Sequence, residues 1–163
     1  MKVLIPVDGS ELSLDAVRYA LGLRRQGLNA EFVLANVQEP ASLYELLRAH
    51  DAEVLERVSA GAGATALEVA RALLDQAEVA YESEVCSGDP AHTIVDLVDR
   101  FGCDAVIMGA RGTGTRRSAA MGSVAHEVLH AAQVPVTIVK DEPAEAASES
   151  AGSAEAAAEP LPE

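Results

Sequence analysis

The sequence predicts an α/β domain with an open, five-stranded parallel sheet, the strand order 3-2-1-4-5 and helices on both faces. Five short apolar segments alternate with longer segments whose apolar residues recur at helical spacing, a pattern typical of βαβ units. Residues 104–108 (DAVIM) show no alternation of polar and apolar side chains, which indicates a strand buried on both faces. Right-handed crossovers between such strands place helices on both faces of one doubly wound sheet.

The beginning of the chain predicts two strands with one helix between them. Residues 2–7 form the first predicted strand, and Ser10 is a suitable N-cap for a helix that continues to about Gln26. Gly27 ends this helix, because glycine readily adopts the left-handed conformation found after helix C-termini. Residues 30–37 (AEFVLANV) form the second predicted strand.

Two helical segments are predicted between the second and third strands. Apolar residues recur at helical spacing over residues 43–58, and Gly61 and Gly63 interrupt this pattern. Helical spacing resumes over residues 64–77. Residues 81–86 alternate in polarity, which predicts a third strand near an edge of the sheet.

The second half of the chain predicts two further pairs of a helix and a strand. Asp89 is a good N-cap and Pro90 suits a first helical turn, so a helix is expected from there to Gly102, ahead of the DAVIM strand. A helix at residues 123–132 and an apolar fifth strand at residues 134–139 complete the sheet.

Length and composition favour a single soluble domain. The chain has 163 residues, of which 49% are hydrophobic, and it contains no run of about 18 apolar residues that could span a membrane. Met1 and Lys2 lead directly into the first strand without a signal-peptide pattern, so a cytoplasmic protein is expected. Cys86 and Cys103 stand alone in the sequence and are expected to be buried, reduced thiols.

Part of the acidic charge lies at the C-terminal end of the sequence. Residues 141–163 carry seven acidic residues and no basic one, which predicts a disordered tail after a domain of residues 1–140. Removing these seven from the 26 acidic residues leaves 19 against 12 basic residues, a net charge of −7. A domain this acidic argues against nucleic-acid binding, which requires a broad basic surface.

A glycine-rich segment at residues 109–123 (GARGTGTRRSAAMGS) gives the strongest functional signal. Gly109 and Gly112 let the backbone approach an oxygen-rich ligand closely. Gly122 and Ser123 lie where the next helix begins, and the free N–H groups of a helix N-terminus favour anions. Because the segment directly follows a buried strand, it predicts a phosphate site at the end of that strand.

The predicted strand order brings Asp8 close to this glycine-rich segment. The chain changes its direction of winding between the first and fourth strands, so their carboxyl ends at Asp8 and Gly109 flank one crevice. Asp8 is therefore either a ligand-binding residue or a turn former beside Gly9. Arg116 and Arg117, two basic residues of an acidic chain, either contact phosphate or are solvated.

Residues 126–130 (HEVLH) match the HExxH pattern of zinc hydrolases, in which two histidines bind the metal and the glutamate activates water. On a helical wheel both histidines lie opposite the apolar face that contains Val124 and Val128, so they are expected to face solvent. His92 is also expected to be exposed. No histidine follows the pattern as a third ligand, so surface histidines are the simpler interpretation.

Three segments and one spaced motif match the pattern of a known family. The segments are VDGS at the end of the first strand, GDPAHTIVDLVDRFGCDAVIMG from Gly88, and PVTIVK from Pro135. The motif G-x-x-G-x9-G-[ST] is met in full by Gly109, Gly112, Gly122 and Ser123. In these features residues 2–140 resemble the universal stress protein family, specifically its ATP-binding branch. The chain has no G-x-x-x-x-G-K-[ST] segment and is not a P-loop protein.

The resemblance implies an adenine nucleotide alpha hydrolase-like fold that binds ATP with Mg²⁺. It places adenine near Val37 and the strand end at Pro6 and Val7, with Asp8 close to the ribose or to a phosphate-bound metal. It places the rest of the nucleotide against Met108, Gly109, Arg111, Gly112, Gly122, Ser123 and Val124.

The resemblance also implies a nucleotide-dependent regulatory module of the stress response, which acts on an unidentified protein partner and has no catalytic residue. A slow ATPase or nucleotide-transferring enzyme is the first alternative, and a zinc hydrolase that uses HEVLH is the second. The apolar strand at residues 135–140 is expected at an exposed edge of the sheet, and together with the resemblance it predicts a homodimer through that edge.

Overall fold

The computed structural model describes residues 1–40, 52–113 and 121–140 of the chain. In chain order the elements are β1 (Lys2–Pro6), α1 (Glu11–Arg25), β2 (Glu31–Gln38), α2 (Ala52–Gln76), β3 (Tyr81–Ser87), α3 (Pro90–Phe101), β4 (Ala105–Gly109), α4 (Ser123–Ala131) and β5 (Val136–Val139). Within these ranges, none of the helices has the length and apolar character needed to cross a lipid bilayer.

The strands form one parallel sheet with the order β3-β2-β1-β4-β5, which confirms the predicted topology. β1 lies at the centre, where it pairs with β2 along its whole length and with β4 through Val3 and Leu4. β3 and β5 are the edge strands of this sheet. The direction of winding therefore reverses between β1 and β4, and a crevice opens at their carboxyl ends.

Two hydrophobic layers hold the helices against opposite faces of the sheet. Val3 and Ile5 of β1 pack with residues of α1 and α2, whereas Leu4 between them packs with residues of α3 and α4. Each of these three side chains is at most 1% exposed. Successive residues of a strand point to opposite faces, so burial on both faces explains why β1 is apolar throughout its centre.

Helix α2 runs without a break from Ala52 to Gln76, so the interruption predicted at Gly61 and Gly63 is wrong. Glycine costs about 1 kcal/mol relative to alanine inside a helix, which is why the two glycines indicated a break. Gly63 is buried against the sheet, where a Cβ atom would lie 2.6 Å from Val85 Cγ1 and 2.7 Å from Asn36 Oδ1. The missing side chain lets α2 approach β2 and β3 closely, and this packing offsets the low helix propensity.

The predicted N-caps of α1 and α3 and the predicted end of α3 are confirmed. Ser10 caps α1 by accepting a hydrogen bond from the Ser13 N–H (3.2 Å), and Asp89 caps α3 by accepting one from the His92 N–H (3.0 Å). Gly102 ends α3 in the left-handed conformation, with φ of 62°. These contacts satisfy backbone groups that a helix leaves unpaired at its termini.

Both cysteines are free thiols, and the prediction of burial is right for Cys103 and only partly right for Cys86. Cys86 is half-buried because it lies on the edge strand β3. Burial raises the pKa of each thiol above its ordinary value, so both are protonated at neutral pH.

Several predicted features lie outside the described residues. They are the first part of the helical segment, at residues 43–51, the basic pair Arg116 and Arg117, and the acidic tail at residues 141–163. The domain boundary after residue 140 stays a prediction.

Candidate functional site

A cleft of about 600 Å³ opens at the carboxyl ends of β1 and β4, where the winding reverses. Its walls come from the ends of β1, β2 and β4 and from the N-terminal parts of α1, α3 and α4. Ligand sites of open α/β sheets lie at such a switch point. The cleft brings together every residue that the family resemblance assigned to the nucleotide: Pro6, Val7, Asp8, Val37, Met108, Gly109, Arg111, Gly112, Gly122, Ser123 and Val124.

Asp8 follows β1 and fastens two loops of the cleft together. Its Oδ1 accepts hydrogen bonds from the N–H and the hydroxyl of Ser10 (3.0 and 2.6 Å), and its Oδ2 accepts one from the Thr113 N–H (2.9 Å). Burial alone would raise the pKa of this carboxyl, but the bonds from Ser10, Thr113 and the Ser13 side chain together lower the pKa below its ordinary value. Asp8 is therefore ionised at neutral pH while solvent still reaches the residue.

Two glycines of the spaced motif make room for other parts of the protein. A Cβ atom at Gly109 would lie 3.0 Å from the Leu12 carbonyl oxygen, so glycine lets β4 end directly beside α1. A Cβ atom at Gly112 would collide with the Asp8 carboxylate. The sequence predicts that these glycines make room for a ligand. In the structure each glycine also makes room for a neighbouring part of the protein itself.

The N-terminus of α4 opens onto the cleft. Gly122 is its N-cap, and the Gly122 N–H donates to the Ala110 carbonyl oxygen (2.8 Å), which fixes the start of the helix to the end of β4. No side chain of the described residues caps this end. The N–H groups of Ser123, Val124 and Ala125 have no acceptor within the helix, and all three residues line the cleft. These donors and the positive end of the helix dipole suit an anion.

Sequence reasoning missed Asn36 and Gln38, which form a hydrogen-bonded pair in the cleft wall. Asn36 is 1% exposed; its Nδ2 donates to the Val7 carbonyl oxygen (2.7 Å), and its Oδ1 accepts from Gln38 Nε2 (2.6 Å). The available signal was an amide within the otherwise apolar segment FVLANV, since a buried amide requires partners. The remaining lining residues that were missed are Ser13, Ala35, Glu39, Pro90, Ile94, Thr113 and Ala125.

The histidines of the HEVLH segment lie on the solvent side of α4. His126 and His130 are exposed, as predicted, and their ring centroids are 4.6 Å apart. Glu127 lies instead beside His92 and Asp89, with its Oε1 3.8 Å from His92 Nδ1. In the part of the chain that the structure describes, neither helix histidine belongs to a group of three candidate ligands, so the zinc hydrolase alternative has no structural support.

Sequence comparison identifies a matching protein family and similar proteins. Residues 1–140 match the family model described as the universal stress protein family. The chain is 28% identical over 139 residues to universal stress protein MJ0531 of Methanocaldococcus jannaschii, and the match covers 85% of this chain and 81% of that protein.

Solved structures share the fold. The structure of hypothetical protein MJ0577 superposes with a TM-score of 0.76 at 22% identity, over 88% of this chain and 97% of that one. A universal stress protein in complex with cAMP superposes with a TM-score of 0.63 at 27% identity, over 85% of this chain and 96% of that one. The parallel sheet with helices on both faces is thus a fold shared with these proteins.

Proposed function

Because the chain belongs to the universal stress protein family, we propose that its cleft binds ATP and that nucleotide occupancy regulates a partner in a stress response. The observation that carries this proposal is the helix N-terminus of α4, which opens onto the same cleft as Asp8 and Val37. A site for an anion and a site for an apolar ring then lie on one surface, as a nucleotide requires. The relative in complex with cAMP supports an adenine nucleotide as the ligand.

The two ends of the cleft suit the two ends of ATP. We place the phosphates against the N–H groups of Ser123 and Val124, with Arg111 on the path to them. The base lies at the opposite end, against Val37 and the strand end at Val7. In this orientation the charged groups of the ligand meet the backbone donors of α4, and the ring meets apolar side chains.

Asp8 suits a nucleotide-bound Mg²⁺ as a single oxygen ligand. Mg²⁺ prefers carboxylate and phosphate oxygens. The Asp8 carboxylate is ionised, lines the cleft and is reached by solvent, so one of its oxygens suits a metal that is also bound by phosphate. When bound, the ion would neutralise part of the phosphate charge.

Binding without fast turnover is the function that the cleft supports best. The ionisable side chains of its described lining are Asp8, Glu39 and Arg111. The lowered pKa of Asp8 makes it a weak base for activating water, and Arg111 cannot accept a proton. Glu39 is exposed directly after β2, at the end of the cleft where we place the base and not the phosphates. A slow ATPase is the second candidate, because Arg111 and a metal on Asp8 would stabilise charge during phosphoryl transfer.

Isothermal titration calorimetry of the full chain with ATP and Mg²⁺ tests the site. Saturable heat is expected from the wild-type chain and is expected to disappear in Gly122→Val, because a branched side chain there meets Ala110 and Arg111 where α4 begins. Gly22→Val is the matched control, since Gly22 of α1 has open space around it. Equal heats from the wild type and Gly122→Val would refute the site.

Hydrolysis is tested separately, by following ADP release from the purified chain over hours. ATP that remains intact supports the regulatory function. Turnover that rises with protein concentration and is abolished in Asp8→Ala would favour the slow ATPase instead.

We also propose a homodimer through the free edge of β5. This strand ends the sheet, and its three apolar residues remain half-buried around the exposed Thr137. Edge strands of this kind leave backbone groups unpaired and favour pairing with another chain. Sedimentation equilibrium is expected to give twice the 16.9 kDa of one chain, and a mass of 16.9 kDa would contradict the dimer.

A further inference from the structure

Asn36 is a buried amide of β2 whose two ends are both held. Together with Ser13 it makes up the buried polar side chains of the described residues. Its Nδ2 donates to the Val7 carbonyl oxygen at 2.7 Å, and its Oδ1 accepts from Gln38 Nε2 at 2.6 Å. Gly63 of α2 packs on the same amide, since a Cβ atom there would lie 2.7 Å from Asn36 Oδ1. These contacts fix the position of the Asn36 amide and orient its Nδ2 toward the Val7 carbonyl oxygen.

The peptide groups of Val37 face the side of β2 on which β1 lies. Successive residues of a strand direct their N–H and C=O groups to alternate sides. The Ala35 carbonyl oxygen faces β1, where it accepts from the Val7 N–H (2.8 Å), and the Gln38 carbonyl oxygen faces β3, where it accepts from the Gly88 N–H (3.0 Å). Val37 lies two residues after Ala35 and so faces β1, at the point where β1 has ended and the cleft begins.

Asn36 changes the pairing at this point of the sheet. Regular continuation of the parallel ladder would join the Val37 N–H to the Val7 carbonyl oxygen. In the structure that oxygen accepts from the Asn36 side chain, and no backbone bond between the described residues Val37 and Val7 is formed. The Val37 N–H is thereby kept out of the sheet, and the Val37 C=O lies beside it in the cleft wall, past the end of β1.

We propose that Asn36 is a positioning residue for base recognition: by holding the Val7 carbonyl group, it keeps the Val37 N–H available, next to the Val37 C=O, to bind a 6-aminopurine. The inference rests on the proposed nucleotide function. A peptide N–H beside a C=O complements the acceptor N1 and the donor 6-amino group of adenine. A 6-oxopurine presents an N1–H donor and an O6 acceptor in the same places, so donor meets donor and acceptor meets acceptor.

Titration of the full chain with ATP and ITP tests this inference, because the two nucleotides differ at the six position and the adjoining N1. The wild type is expected to prefer ATP by at least about fivefold, the value of one net hydrogen bond. Asn36→Asp keeps the shape of the side chain but sets an acceptor against the Val7 oxygen. The preference for ATP over ITP is expected to fall about fivefold in this variant.

Two further variants distinguish a positioning role of Asn36 from a general effect on folding. Gln38→Leu removes the donor that holds the Asn36 amide, and it is expected to lower the ATP preference in the same direction even where Asn36→Asp does not fold. Leu74→Ala destabilises the core at the far end of α2, away from the cleft lining, and is expected to leave the preference unchanged.

The outcomes distinguish this inference from the proposed function. A wild type that binds neither nucleotide overturns the proposed function. A wild type that prefers ATP, with folded Asn36→Asp and Gln38→Leu variants that retain the full preference, leaves the proposed function intact and overturns the role of Asn36. Equal affinity of the wild type for ATP and ITP also overturns it.

Discussion

Alanine substitutions at the two glycines of α2 are expected to change stability in opposite directions. Gly61 is exposed, and a Cβ atom there meets nothing within 4 Å, so Gly61→Ala gains helix propensity alone. The gain is about 1 kcal/mol in the free energy of unfolding. Gly63→Ala gains the same propensity but forces a methyl group to within 2.6 Å of Val85 Cγ1 and 2.7 Å of Asn36 Oδ1.

The cost at Gly63 is expected to exceed the gain. Overpacking of a close-packed interior costs about 1 to 3 kcal/mol, and here the methyl group also presses on an amide that is hydrogen-bonded at both ends. Subtracting the propensity gain leaves a net loss of up to about 2 kcal/mol for Gly63→Ala. Val85 is only half-buried and can move, which sets the lower limit near zero.

Urea unfolding of the two variants, followed by circular dichroism, measures both changes. The midpoint is expected to rise for Gly61→Ala and to fall for Gly63→Ala, with the slope of the transition unchanged. Equal stabilisation by both substitutions would refute the close packing of α2 on β2 and β3.

Three further predictions concern the loops around the cleft. Gly112→Ala is expected to weaken ATP binding at least about tenfold in calorimetry, because the new Cβ atom displaces the Asp8 carboxylate, whereas Gly22→Ala leaves the affinity unchanged. Because the pKa of Asp8 is lowered, its ionised carboxylate stabilises the fold at pH values above 3.8, its ordinary pKa, and this stabilisation is lost as pH falls through the folded pKa. Asp8→Asn is therefore expected to lower the melting temperature at pH 7 but not in acid. The hydrogen bond with Asp89 raises the pKa of His92 above 6.5, so this pair stabilises the fold below that pH and ceases to do so as pH rises through the folded pKa. Proton NMR titration of His92 in the wild type and in Asp89→Asn checks the shift, and an identical midpoint in both would contradict it.

The fold and most of the cleft could be predicted from the sequence because they depend on local patterns. Apolar runs, caps such as Ser10 and Asp89, and the helical spacing between strands define the elements, and the rules of parallel sheets then place Asp8 opposite Gly109. The strand order follows from these local patterns and not from particular side-chain contacts, so the sequence predicts where the cleft lies.

What the sequence could not predict depends on contacts between distant segments. Gly63 is predicted to break the helix because glycine has a low helix propensity. The residues it packs against, Asn36 and Val85, lie in other strands, so the sequence near Gly63 does not reveal this packing. The role of Asn36 depends on the Val7 carbonyl oxygen, which lies 29 residues away in the sequence and accepts from its amide. At Gly63 a long-range contact outweighs the low helix propensity of glycine, and at Asn36 a long-range contact gives the side chain its role.

Because β4 pairs with β1, the cleft forms between segments that are far apart in the sequence. One wall is built from residues 6–39 and the other from residues 90–125, so neither half of the chain contains the site by itself. A ligand that fills the cleft would therefore bind only a chain in which α4 has docked beside the end of β1. By mass action, ligand at about 100 times its dissociation constant adds about 2.7 kcal/mol to the stability of the native state. A ligand of this cleft would thus stabilise the completely folded molecule against local opening of either wall.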